Sequence, residues 1–263
     1  MNLDKIASKI RKEIINVANA SKSPHVGSAL SCTDILVALY FRIMKFKPWQ
    51  ERDIFILSKA HSAMALYCVL AEKGIIKKSL LKGYYKNNGT LPAHLDRFTA
   101  RGIEVSAGSL GHGFNMALGL AYSLKLNKSK RKVYCLIGDG ESQEGSIWEG
   151  ALFAPKICID NFTAILDHND LQGYGRPTQI CYFEPIVDKW KAFGWDVHRI
   201  NGHNIKEILS VLSKPNRGKP RIIIADTCKG KGISFMENQM KWHYFIVTEE
   251  IRKKALRDIC ACK

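Results

Sequence analysis

The 263-residue chain contains no apolar run approaching the roughly twenty residues that would cross a bilayer. Residues 1–20 carry Asp4, Glu13 and several lysines on an amphipathic pattern and lack the apolar core of a signal peptide. The eight cysteines are scattered singly, with only Cys260 and Cys262 close together. With no zinc-type pairing among them, reduced thiols in a cytoplasmic setting are the expectation. No internal repeat, low-complexity segment or linker interrupts the chain. It therefore reads as one domain over residues 1–263, long enough to bury a large core. Acidic side chains are also in short supply: 24 Asp and Glu stand against 40 Lys and Arg, a formal charge of +16. Such an excess attracts polyanions without reading their sequence, so a nucleic-acid binder has to be weighed. The basic residues are spread along the whole chain, however, with short clusters only at Lys128 to Lys132 and Arg252 to Lys254. Neither cluster is interleaved with aromatics for stacking, which favours a lysine-rich surface over a nucleic-acid face.

What is present is an alternation of helical and strand patterns. Leu3, Ile6, Ile10, Ile14 and Val17 recur at helical spacing, which predicts a first helix to about Ala20. After a loop around His25, helices are expected over 32–44, 60–73, 78–85 and 113–126, the last apolar on most faces and so buried. Strands are expected at 53–57, 132–137, 162–166, 196–200 and 221–226, with helices over about 142–159, 184–193 and 205–212 between them. This alternation implies an α/β fold, a mostly parallel sheet with helices on both faces.

The most informative run is Ile137-Gly138-Asp139-Gly140-Glu141, followed after a helix-length interval by Leu166-Asp167-His168-Asn169-Asp170. One strand delivers Asp139 to its tip and the next delivers Asn169. In a parallel βαβ unit such tips lie side by side at the ligand-binding edge. Asp139 and Asn169 can then converge on one hard cation, with a carbonyl from the following loop as third ligand. Magnesium prefers oxygen ligands and takes its remaining ones from phosphates and water. Gly138 and Gly140 permit close approach of a pyrophosphate, and the N–H groups of the next helix point toward it.

These residues look like the thiamine diphosphate fingerprint, and the rest of the chain resembles the transketolase branch of that superfamily. The matching stretches are Ser23 to Gly27, Leu57 to His61, Pro92 to His94, Gly102 to Val105 with Gly108 to Gly111, Leu171 to Gly175, and Lys229 to Asn238 with Trp242-His243. They occur in family order from about residue 10 to 245. The resemblance implies the pyrophosphate domain of a thiamine diphosphate-binding fold, with thiamine diphosphate and Mg as cofactors. It makes Leu171 the residue whose carbonyl completes the metal site with Asp139 and Asn169. It also implies that Gly108, Ser109, Leu110, Gly138, Gly140 and Glu141 approach the cofactor. His61 and His243 would lie near its phosphates, and His25, His94 and His243 would line the channel for the ketose hydroxyls.

Those roles suit the reaction that the family performs. A ketose is cleaved between its second and third carbons, so the third-carbon hydroxyl loses a proton that a neutral imidazole accepts near pH 7. The resemblance further implies that Glu144 and Glu149 sit at a subunit interface, where the large apolar Trp148 suits a buried contact. Gly111-His112-Gly113 departs from the family's glycine-glutamine-glycine, and a core or interface histidine is the simpler expectation for His112.

A full-length transketolase continues for several hundred residues past the match to Trp242-His243, whereas this sequence stops at Lys263. The pyrimidine-binding domain, with the glutamate that activates the cofactor, is absent from it. Two explanations stand: a natural N-terminal subunit of a split transketolase, or a piece of a longer chain. The first implies a heterotetramer with a C-terminal partner subunit, acting on sugar phosphates as in the pentose phosphate pathway. A related thiamine enzyme acting on another sugar phosphate and a non-catalytic scaffold are the alternatives.

Overall fold

In the computed structural model, which describes residues 1–261, a single five-stranded sheet carries the chain. Its strands are β1 (Ile54–Leu57), β2 (Val133–Gly138), β3 (Phe162–His168), β4 (Asp196–Asn201) and β5 (Arg221–Asp226). They run in the order β1-β2-β3-β5-β4, and every pairing is parallel. The three central strands are fully buried along nearly their whole length, which is why they read as continuous apolar runs rather than alternations.

Successive side chains of each strand feed opposite faces, so the sheet divides the core in two. Phe55, Leu57, Tyr134, Leu136, Ile165 and Ile223 point into a layer of α1 (Leu3–Ser21), α2 (Val26–Ser31), α3 (Thr33–Ala38), α4 (Ala63–Glu72) and α9 (Ile205–Leu212). Ile56, Cys135, Ile137, Ala164, Leu166 and Ile224 point the other way. There they meet α5 (His112–Leu126), α6 (Gly145–Lys156) and α8 (Ile186–Ala192). On that second face Trp190, fully buried, stands 4.9 Å from the ring of Trp195 and 5.3 Å from that of Trp148. The four-residue α7 (Pro177–Ile180) and α10 (Glu249–Ala261) complete the helices. Cys262 lies outside the described residues, and the other seven cysteines are unpaired. Among the described residues no helix is long and apolar enough to cross a membrane.

Three expectations need correction. The helix expected over 32–44 is present as α3 continued by a π-helical turn, Leu39–Ile43, but the stretch before it, expected as a loop around His25, holds a further helix, α2. The Ser31 and Thr33 hydroxyls and the Cys32 thiol turn back onto the carbonyls of Ser28 and Ala29, and this local competition separates α2 from α3 at Cys32. The segment 78–85 is helical as expected, but as a shorter 3₁₀ helix over Lys78–Gly83. The helix expected to be buried, α5, buries only the face bearing Phe114, Ala117, Leu118 and Ala121, while Met116 and Leu126 are exposed, as are Leu152 and Phe153 of α6.

Replacing Trp190 with Ala removes the centre of the aromatic layer. The expected loss is about 3–5 kcal/mol, read as a lower urea midpoint with an unchanged slope. A midpoint within error of the parent protein's would show that the layer closes without it.

Candidate active site

The C-terminal ends of β1, β2, β3 and β5 open into a cavity of about 680 Å³. Strand β2 ends at Gly138, and the next residue, Asp139, turns its carboxylate toward β3. Oδ1 stands 2.5 Å from Nδ1 of His168, and Oδ2 accepts the backbone N–H of Asn169 at 2.9 Å. Burial pushes the Asp139 carboxyl up, and the same carboxylate pushes His168 up against its own burial penalty. Asp139 is thus a buried, hydrogen-bonded element of the strand tips.

Below it lies a second carboxylate, Asp167, fully buried on β3. It accepts from Lys59 Nζ, from Ser31 Oγ at 2.6 Å and from Thr227 Oγ1 at 2.5 Å, and it meets Nδ2 of Asn169 at 3.4 Å. Burial alone would raise this carboxyl, but the Lys59 ammonium holds it below its usual range. With its Nδ2 engaged there, Asn169 directs Oδ1 toward the Leu171 N–H, 3.3 Å away. The Leu171 carbonyl accepts from Lys229 Nζ at 2.9 Å, and the same ammonium meets Nδ1 of His243 at 2.9 Å.

Four histidines converge on this cavity from separated segments. His25 caps α2 in the left-handed region, at φ 69°, and its ring lies 5.3 Å from His61, 6.4 Å from His94 and 5.0 Å from His243. His61 sits in a 3₁₀ turn before α4 and His243 in another after β5, so three of the four stand at helix starts or turns rather than in open loops. Burial, then the charge of His94, lowers His25 to about 4. Burial and the Lys229 ammonium lower His243 to about 3, and His61 is lowered by burial and by Lys59. These three imidazoles are therefore neutral near pH 7, able to accept or donate a proton.

Gly108, Leu110, Gly138, Gly140 and Glu141 line the same cavity, as does Glu144. Glu141 faces inward: it accepts from Ser58 Oγ and from the Gly111 N–H at 3.0 Å, tying the 108–111 turn to the end of β2. Gly113 is needed beside it, because a Cβ there would lie 2.7 Å from Ser58 Oγ. Ser109 and Glu149 are exposed and stand apart from the lining, and Trp148 packs within the chain against Trp190 and Phe193. His112 is exposed at the start of α5, so of its two expected places, core or interface, the core is excluded.

Sequence reasoning passes over Lys59, Asp167, His168, Gln172 and Lys229 as site residues. Each lies within or beside a stretch that attracts attention for another residue. Buried Lys59 and Lys229 are detectable only as charges inside otherwise apolar or glycine-rich runs.

The donor set fits a magnesium ion and a diphosphate. Asp139, Asn169 Oδ1 and the Leu171 carbonyl are all hard oxygen donors, which leaves positions for phosphate oxygens and water. The Nε2 atoms of Gln143 and Gln172, both on the cavity, are buried without a hydrogen-bond partner, as expected of groups awaiting a ligand.

An open parallel sheet with its cavity at the carboxyl edge defines an α/β ligand-binding domain of the doubly wound type. The chain belongs to the transketolase family: residues 3–257 match the family model described as transketolase, thiamine diphosphate binding domain. It is 41% identical to a 6-deoxy-6-sulfo-D-fructose transketolase subunit of Clostridium sp. strain MSTE9, over 98% of this chain and 96% of that protein. It is also 41% identical to an apulose-4-phosphate transketolase subunit of Actinobacillus succinogenes, over 98% of this chain and 95% of that protein. Among solved structures, transketolase from Campylobacter jejuni superposes with a TM-score of 0.91 at 30% identity. That match covers 99% of this chain and 43% of the Campylobacter protein.

Because the unfolded His25 imidazole binds a proton below about 6.5 and the folded one only near 4, its contribution to stability is complete above 6.5 and lost as pH falls toward 4. Asn tolerates the left-handed backbone that His25 adopts. His25→Asn should therefore fold and show a shallower loss of urea midpoint between pH 6.5 and 4. Equal slopes in the two proteins would contradict the neutral, buried imidazole.

Proposed function

We propose that this chain is the thiamine diphosphate- and magnesium-holding subunit of a split transketolase that moves a two-carbon ketol unit between sugar phosphates. The observation that carries the reading is the cavity itself: a buried carboxylate, an amide and a carbonyl at adjoining strand tips, ringed by four histidines. Asp139, Asn169 and the Leu171 carbonyl would hold the metal. Lys229 would leave the Leu171 carbonyl to the ion and turn its charge toward the diphosphate. His61, the 108–110 turn, Gly138 and Gly140 would border the cofactor.

When bound, thiamine diphosphate supplies a carbon nucleophile that can take up and release the ketol unit. The protein's part is to position the sugar and move its protons. His25 and His94 would face the ketose, one of them accepting the proton of the third-carbon hydroxyl as the bond between the second and third carbons breaks. His243, whose Nδ1 accepts from Lys229, carries its proton on Nε2 and would donate to the developing oxyanion.

The pyrimidine-side contacts would come from a C-terminal partner subunit. Exposed Tyr174, Tyr182, Tyr244 and Phe245 near the cavity supply apolar surface for that contact. A second contact between two copies of this chain, around Glu144, Trp148 and Glu149 with the exposed α5 and α6 side chains, would give an α2β2 assembly with twofold symmetry. The names of the two relatives at 41% identity favour 6-deoxy-6-sulfo-D-fructose or apulose-4-phosphate as the alternative substrate.

Asp139→Asn preserves shape and removes the charge, so metal-dependent thiamine diphosphate binding should weaken at least about tenfold in calorimetry. Unchanged affinity would refute the metal assignment. Ketol transfer should appear only after mixing with a pyrimidine-domain subunit. Full turnover by the purified chain alone would refute the split reading, and a chain that binds neither cofactor nor partner would favour a scaffold. His94→Ala should lower turnover of the reconstituted enzyme with cofactor affinity nearly kept.

A further inference from the structure

A second cavity, of about 700 Å³, opens at the other end of the sheet, at the N-terminal ends of β4 and β5. The length of β5 alone separates it from the catalytic edge by about 17 Å. Lys191, Lys214, Arg217 and Lys219 stand around it, over a floor that includes Trp195 and Val197. Among the described residues Lys214, Arg217 and Lys219 pair with no carboxylate, and Lys191 has only the loose contact with Asp188 at 3.7 Å. The one carboxylate in the lining, Asp196, is already taken by Arg221 Nε at 2.8 Å and by His198 Nε2, which stands 3.1 Å from it off the hydrogen-bonding direction.

The cations are not on a free loop. Segment 213–220 is pinned by the buried Arg221 guanidinium, which donates to the carbonyls of Val211, Lys214 and Pro215 at 2.7–3.0 Å. Asn216 Nδ2 ties the same segment to the Phe162 carbonyl at 3.0 Å. Gly218, at φ 70°, provides the turn between Arg217 and Lys219. Arg221 thereby gives up its own charge to organise the backbone that presents the others. A concave, apolar-floored pocket rimmed by one sign of charge focuses its field on a small anion of opposite sign.

We propose that this cavity is a second ligand site, distinct from the catalytic edge, that takes a small phosphate ester with its phosphate on Lys214, Arg217 and Lys219. Its organic part would lie against Val197 and Pro215, the accessible apolar members of the lining. A strand of nucleic acid is the less favoured occupant. The cations encircle a pocket instead of lining a track, and Trp195, buried beneath it, offers no exposed face on which bases could stack.

The test uses the full chain without added metal, with ADP and inorganic phosphate as probes and hydrogen exchange as the readout. ADP should protect residues 191–198 and 214–221, separably from any protection at 138–141 and 171–174. Inorganic phosphate should protect the same segments more weakly, and raised salt should weaken both. The exposed triple variant K214A/R217A/K219A should keep its thermal midpoint and lose the protection at 191–198, with ADP affinity there reduced at least about tenfold. Protection confined to the catalytic edge, or unchanged in the triple variant, would overturn the assignment. So would an oligonucleotide that protects these segments at concentrations where ADP does not.

Discussion

Asp167 is the interaction on which the rest of the site depends. It is a fully buried carboxylate at the end of the central strand. Through single hydrogen bonds or ion pairs it joins the end of β1 at Lys59, α2 at Ser31 and the loop after β5 at Thr227. Unpaired, such a charge would be intolerable in the core, and removing one partner of a buried pair commonly costs about 3–5 kcal/mol. Paired, it binds segments that are far apart in sequence to one sheet edge, and its contact with Asn169 Nδ2 orients that side chain's oxygen.

The electrostatic balance above it is set by two lysines. Lys59 is fully committed to Asp167, and that carboxylate overrides the burial penalty and holds the ammonium above its ordinary value. Lys229 has no carboxylate of its own. Burial and the neighbouring Lys59 lower it to about 8, and it donates its protons to a carbonyl and an imidazole. The cavity therefore contains one satisfied cation beneath the strand tips and one loosely held cation facing the open space. His25, His61 and His243 stay neutral for the same reason: desolvation and nearby cationic groups both penalise a further positive charge. A pocket so arranged attracts an anion without losing its proton acceptors.

The two ends of the sheet use their charges differently. At the carboxyl edge, charged groups are buried, paired and few. At the opposite end, one buried arginine arranges the backbone and leaves exposed lysines unpaired. Part of the chain's positive excess thus has a location, although most of it is spread over the surface as the scattered sequence positions suggest.

Residue pattern alone determined the strand positions and the parallel α/β class, because an all-buried strand needs an unbroken apolar run, and it put Asp139 and Asn169 at adjoining strand tips. It also marked His25, His61, His94 and His243, whose motifs resemble those of a known family. Tertiary structure alone decided that Asp139 is buried against His168, that Glu141 clamps the 108–111 turn, and that α5 leaves an apolar face uncovered. It alone revealed Lys59 and Lys229 as neighbours, 170 positions apart by their numbering, because a lysine's sequence context does not say whether a carboxylate from another strand will be waiting for it. Burial and ion pairing are properties of segments meeting, and segment meetings are settled by the sheet order, not by any one stretch of chain.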